Sequence, residues 1–120
     1  MTFEEADLAG IGAAEEIEIE TRSADGQIHR TIIWAVVHHR AVLIRSVRGP
    51  RGRWYREALA DPGVAVHVGG RRIPATAVSA SDPATIAACS EELRLKYRGR
   101  SLESMLRPET LGTTLRLEPA

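Results

Sequence analysis

The sequence predicts a mainly β protein in which six short antiparallel strands close a small barrel, with two or three flanking helices. Three observations predict it. Short runs rich in Val, Ile and Thr alternate apolar and polar residues with a period of two, the pattern of strands that bury one face. Turn chemistry recurs between them, at Asp25-Gly26 and at Gly69-Gly70. Helical periodicity is confined to a few short segments, which leaves little room for the parallel crossovers of a doubly wound sheet.

The elements follow in order. Thr2-Phe3-Glu4-Glu5 has the form of a capping box and predicts a short helix over about 2–8, ended by Gly10 and Gly12. Ile17, Ile19 and Thr21 alternate with Glu16, Glu18 and Glu20 as a first strand. Residues 29–38 read as one second strand, His39-Arg40 as its turn, and 41–47 as a third. The first forty-seven residues therefore form a three-stranded meander. After a loop at Gly49-Pro50-Arg51-Gly52, Trp54, Tyr55, Ala58 and Leu59 share one helical face over 53–60, which Asp61-Pro62-Gly63 stops. Val64, Val66 and Val68 give a fourth strand. Residues 72–80 return as a fifth, in which Pro74 suggests an edge or a bulge. Ser81-Asp82-Pro83 starts a helix carrying Ile86, Cys89, Leu93 and Tyr97 at helical spacing, with Gly99 to close it. Residues 101–107 form one more short helix before Pro108, and 113–117 a last strand.

At 120 residues the chain suits one domain, a helix at about 2–8 and a barrel at about 15–118. Basic and acidic residues balance at 16 each, which argues against a dedicated nucleic-acid binder. The zero conceals a split. Residues 1–20 carry seven acids and no base, residues 21–72 carry ten arginines against Asp25, Glu57 and Asp61, and the remainder balances. One cysteine, Cys89, excludes an internal disulfide and a cysteine-based zinc site. No run is apolar enough to span a bilayer, and the acidic opening MTFEEADLAG lacks the basic and apolar regions of a signal peptide. These features predict a cytoplasmic protein with no membrane contact.

No Gly-x-Ser-x-Gly elbow and no Walker A loop is present. Gly10-Ile11-Gly12 half-matches a dinucleotide fingerprint but precedes a strand instead of following one. His38 and His39 are adjacent on a strand, point to opposite faces, and predict no metal site. Chemistry concentrates in Ile44-Arg45-Ser46-Val47-Arg48-Gly49-Pro50-Arg51-Gly52-Arg53-Trp54-Tyr55-Arg56. A strand ends, a glycine-containing basic loop follows, and a helix begins. Free N–H groups at a helix start attract anions, glycines admit a phosphate, and Arg48, Arg51 and Arg53 add charge. Trp54 and Tyr55 offer flat apolar surface beside them, or anchor the helix to the core.

Ser46-Val47-Arg48-Gly49, then Trp54-Tyr55-Arg56-Glu57-Ala58-Leu59-Ala60-Asp61-Pro62, then Val64-Ala65-Val66-His67-Val68-Gly69 resembles the split β-barrel flavin and deazaflavin binders. That group includes deazaflavin-dependent nitroreductases and pyridoxamine-phosphate-oxidase-like proteins. Within it the chain is most similar to a small family of unknown function that shares the Trp-Tyr-Arg pattern. The likeness covers roughly residues 15–80. It implies a six-stranded split barrel. It also implies a phosphorylated cofactor, FMN or a deazaflavin, held by the loop at Ser46, Arg48 and Gly49. The ring system would lie along the second and third strands near Arg30 and Thr31, with Arg53, Trp54 and Tyr55 beside it. An oxidoreductase-like activity follows from the cofactor, as does either a homodimer, common among flavin-binding members, or a monomer, as in deazaflavin relatives. The sequence departs from the deazaflavin enzymes in its first hairpin, where Ser23-Ala24-Asp25-Gly26 stands in place of a basic Lys-Ser pair. That departure keeps a second expectation alongside, a non-enzymatic module binding a small molecule or a protein through the same barrel.

Overall fold

The computed structural model describes residues 2–120. In chain order the elements are α1 (Glu5–Ala13), β1 (Ile17–Arg22), β2 (Ile28–Ile33), β3 (Ala35–His38), β4 (Ala41–Ile44), a 3-10 turn (Gly49–Arg51), α2 (Arg53–Ala60), β5 (Gly63–Val68), β6 (Arg71–Ser79), α3 (Pro83–Lys96), α4 (Arg100–Met105), α5 (Pro108–Leu111) and β7 (Leu115–Pro119). The fold is mainly β, a curled antiparallel sheet of seven strands in the order β2-β1-β5-β6-β7-β4-β3. No helix among the described residues is long and apolar enough to cross a membrane.

The expected second strand is two strands, which is why seven replace six. Ile33 pairs with Ile17 of β1, whereas Ala35 pairs with Ile44 of β4. Trp34 lies between and hands the chain from one neighbour to the other. Because β2 and β3 are the two ends of the sheet order, this single junction curls the sheet back on itself. The meander survives in altered form: β2 pairs only with β1, and β3 only with β4.

Other boundaries shift for identifiable reasons. α1 begins after Glu4, which offers no side-chain cap, and runs through Gly10 and Gly12 instead of stopping there. Leu8 and Ile11 are buried as α1 packs on β3, where even a Cβ on Gly12 would make only an ordinary 3.6 Å contact with Val37 Cγ2. Packing there outweighs the roughly 1 kcal/mol helical cost of a glycine. The strand expected over 41–47 ends at Ile44, because the Ser46 amide donates to Thr113 Oγ1 (3.0 Å) and not to a strand neighbour. Thr113 and Thr114 are held in turns, their hydroxyls donating to the Thr110 and Leu111 carbonyls, so β7 starts at Leu115. Pro108 opens α5 instead of ending structure, filling the first helical position where no N–H is needed. Pro74 lies inside an interior strand, but beyond the last β7 pair, Ala75 with Pro119, so its missing N–H breaks no ladder bond to β7. Asp82 caps α3 as expected, accepting from the Thr85 amide (3.0 Å).

The main core fills the barrel. Ile17, Ile19, Val64, Val66, Leu115 and Leu117 point inward, and Trp54 and Tyr55 of α2 join them. A second cluster of Val36, Leu43, Cys89, Leu93, Tyr97 and Met105 packs α3 and α4 on the other face of β3–β4. That sub-sheet is therefore buried on both sides, and Cys89 is one of its small apolar members.

Arg45 ties these layers together. It is 1 % exposed. Its Nε donates to Thr114 Oγ1 (3.0 Å), its Nη1 to Ser90 Oγ (3.0 Å) and the Met105 carbonyl (3.0 Å), and its Nη2 to the Ile86 carbonyl (3.1 Å). Burial pulls its pKa down, and no carboxylate pairs with it among the described residues. Replacing Arg45 with Met removes those four hydrogen bonds from a buried site, where the Met105 carbonyl alone keeps a side-chain donor in Thr110 Oγ1 (3.0 Å), and a loss of about 3 kcal/mol is expected in chemical denaturation. Arg45→Lys recovers less than half of it. A loss below about 0.5 kcal/mol, the ordinary surface-substitution range, would show that the brace is dispensable.

On the outer face, Glu20 accepts from Arg72 Nε (3.0 Å) and Nη2 (2.8 Å) and lies 2.8 Å from His67 Nε2. The Arg72 hydrogen bond is the main reason that its pKa falls from 4.5 to about 2, and the contact with His67 adds to it against the opposing effect of burial. A depressed carboxylate contributes stability above its unfolded pKa and loses it as pH falls through the folded value. Acid titration of stability is therefore expected to fall from about pH 4.5 toward pH 2, and Glu20→Gln to be flatter across that window. An equally steep Glu20→Gln curve would assign the acid sensitivity elsewhere.

Candidate cofactor cleft

Beside the junction at Trp34 lies a cleft of about 460 Å³. One wall is residues 31–34 of the divided strand. The other is the chain leaving β4, residues 45–48, together with Gly52, Arg53 and Trp54 at the start of α2. Ser101, Ser104 and Met105 of α4, together with Glu16, complete the lining.

The loop geometry is fixed from within. Ser46 Oγ donates to the Gly49 carbonyl (2.8 Å), and the Gly49 amide donates to the Ser46 carbonyl (3.0 Å). Gly49 sits at φ +67, where a Cβ would lie 2.9 Å from the Glu109 carbonyl of α5; a Cβ on Gly52 would lie 2.4 Å from Ser46 Oγ. Only glycines allow this tight turn. It brings α2 in with no side-chain cap, and the start of the helix, Gly52, Arg53 and Trp54, lines the cleft.

The charge pattern of the sequence resolves here. The acidic opening segment neutralises distant arginines: Glu5 pairs with Arg40, Asp7 with Arg71, Glu18 with Arg30 and Glu20 with Arg72. Arg22 pairs with Asp61. Arg48, Arg51, Arg53 and Arg56 have no carboxylate partner among the described residues. Glu57, one helical turn beyond Arg53, is committed elsewhere. It accepts from Thr21 Oγ1 (2.8 Å) and meets His29 Nδ1 (3.0 Å). Burial raises its pKa, the Thr21 and His29 contacts outweigh that, and the net shift is downward.

Five of the eight residues singled out in the sequence meet in the cleft: Thr31, Ser46, Arg48, Arg53 and Trp54. Arg53 Nη2 donates to Thr31 Oγ1 (3.2 Å), which places its cation beside β2. Three lie elsewhere. Arg30 is on the outer face of β2, bonded to Glu18 Oε1 (2.9 Å). Gly49 faces α5. Tyr55 is in the barrel core, edge-on to Trp54 with ring centroids 6.2 Å apart.

Arg45 and Trp34 are among the lining residues that the sequence does not single out. Arg45 was visible only as one basic residue in a basic stretch, and its burial depends on Thr114, Ser90 and Ile86, far away in the chain. Trp34 sat inside an apparent strand, and no local signal marks it as a junction. Its ring stacks on Tyr97 at 3.8 Å between centroids and 1° between planes. The Tyr97 hydroxyl donates to the Glu15 carbonyl (2.7 Å), and burial pushes its pKa up to about 12.

No protein of curated function matches the chain in sequence. Solved structures do match in fold. The heme storage protein HutZ from Vibrio cholerae shares 11% identity over 100% of this chain and 92% of that one, at a TM-score of 0.74. A putative pyridoxamine 5'-phosphate oxidase from Listeria innocua shares 14% over 96% and 91%, at 0.70. An F420-H2 dependent reductase shares 16% over 87% and 94%, at 0.66. At these identities the likeness establishes the fold, a split barrel, and not the ligand. Residues 7–117 match the family described as uncharacterized protein conserved in bacteria (DUF2255), and the chain belongs to that family.

Proposed function

We propose that the cleft binds a phosphorylated, ring-bearing cofactor of the flavin or deazaflavin class, and that the protein is an oxidoreductase-like split barrel. One observation carries this reading. Arg45, Arg48 and Arg53 converge with an uncapped helix start on one cleft, and none of the three has a carboxylate partner among the described residues. Unpaired cations in a concave, partly apolar site attract an anion, and a helix N-terminus adds to that attraction. Arg48 and Arg53 are exposed and free to close on a phosphate. Arg45 cannot move, but its buried charge raises the potential of the cleft wall through a low-dielectric medium. Ser46 and Gly49 hold the loop in shape, since their polar groups are already paired with each other.

When bound, such a cofactor supplies hydride transfer, and the protein supplies position, electrostatics and exclusion of water. Glu16, Ser101 and Ser104 are the polar groups at the α4 side that could orient a second molecule. A second reading, ligand binding without turnover, is favoured by Asp25. It occupies the hairpin where the resembled deazaflavin enzymes carry bases, and its carboxylate accepts from Ser23 and from the Gln27 amide (3.4 Å).

Titration with FMN and with a deazaflavin coenzyme, followed by absorbance, tests the proposal. Micromolar binding is expected, weakened about tenfold by either Arg48→Ala or Arg53→Ala and weakened by salt. Failure of both cofactors to bind below millimolar concentration would overturn it, as would unchanged affinity in both folded variants. Binding without oxidation of the reduced cofactor by any acceptor selects the second reading.

A further inference from the structure

Trp34 lines the cleft and is only half-buried, although one face of its indole lies flat on Tyr97. Tyr97 is itself pinned, 5 % exposed and hydrogen-bonded to Glu15. The indole therefore cannot turn away without breaking a fixed stack, and its uncovered side belongs to the cleft. The cleft flanks there are apolar and open: Ile32 is 60 % exposed and Val47 43 %. Thr31, where Arg53 docks, lies in β2 three residues before Trp34, which follows the end of that strand, a backbone span of roughly 10 Å at strand rise. The cleft thus has an anion end and an aromatic end, with a backbone ruler between them.

We infer that Trp34, held flat by Tyr97, is the platform on which the ligand's ring stacks, and that the cleft selects ligands whose ring and phosphate are about 10 Å apart. This rests on the cofactor reading above and narrows it. A ring joined to its phosphate by a ribityl chain spans that distance. A pyridoxal-type ring, one methylene from its phosphate, does not. Trp34 sets specificity and position; the chemistry belongs to the ring.

The test compares FMN and pyridoxal 5'-phosphate as probes on the full-length protein and on Trp34→Leu and Trp34→Phe, with folding checked by circular dichroism. Leu keeps apolar bulk without a π face, and Phe keeps a face. FMN emission is expected to be quenched on binding wild type, since a flavin stacked on indole is dark. Trp34→Leu is expected to lose about tenfold in FMN affinity and most of the quenching. Trp34→Phe stays within about threefold of wild type, in the range of a retained stack. Pyridoxal phosphate is expected to bind at least tenfold more weakly than FMN. Wild-type affinity and quenching in Trp34→Leu, with Arg53→Ala still weakening FMN, would overturn this inference and leave the cofactor reading standing. Equal affinity for the two probes overturns the spacing argument. Absence of FMN binding to wild type overturns both readings together.

Discussion

One exchange of strand partners organises this molecule. Up to Ile33 the chain bonds to β1, and from Ala35 it bonds to β4. The residue between them, Trp34, lets a single segment serve both ends of the sheet, so seven strands curl into a barrel with a parting in its wall. The parting is the cleft. Where the chain changes partner at Trp34, the residues following Ile44 have no strand to pair with. They turn instead into the loop that delivers α2. Trp34 is held at the junction by its stack on Tyr97, which α3 supplies. Arg45, next in the chain after the last β4 residue, braces the same corner from beneath.

Charge is arranged around this parting with an equal economy. Four acids of the opening segment are matched to arginines of the outer sheet and the turns, and α2's own glutamate is turned toward Thr21 and His29. Of the arginines left over, Arg45, Arg48 and Arg53 line the cleft. A formal charge of zero therefore coexists with a locally cationic site. The same neutralisation removes the continuous basic face that a polyanion would need, while leaving room for one small anion.

Much of this was legible in the sequence. Period-two alternation located most strands, and glycine pairs located the turns. Asp82-Pro83 fixed the start of α3, and Trp54, Tyr55 and Ala58 fixed α2, because each of these signals is local. The parting at Trp34 was not legible. Residues 29–38 have strand chemistry throughout, and only the register of two different neighbours divides them. Gly10 and Gly12 read as helix stops, yet α1 runs through both because Leu8 and Ile11 on its inner face are buried. In the site, composition located the basic loop, and Arg48 and Arg53 line the cleft. Arg45 and Trp34 owe their roles to Ser90, Thr114 and Tyr97, contacts made across the fold, and no spacing rule encodes those. Tyr55 was paired with Trp54 by adjacency, yet neighbouring helical positions diverge by about 100°. Both are buried in the core, and only Trp54 also reaches the cleft.

The central claim is that the parting in the barrel wall holds a phosphate against unpaired arginines while a ring occupies the other end. Phosphorus-31 NMR of FMN reads that contact without reference to turnover. The account predicts that wild-type protein broadens and shifts the FMN phosphate resonance, and that riboflavin, which has the ring and no phosphate, binds at least tenfold more weakly. A phosphate resonance unchanged at saturating protein, or riboflavin bound as tightly as FMN, would contradict it.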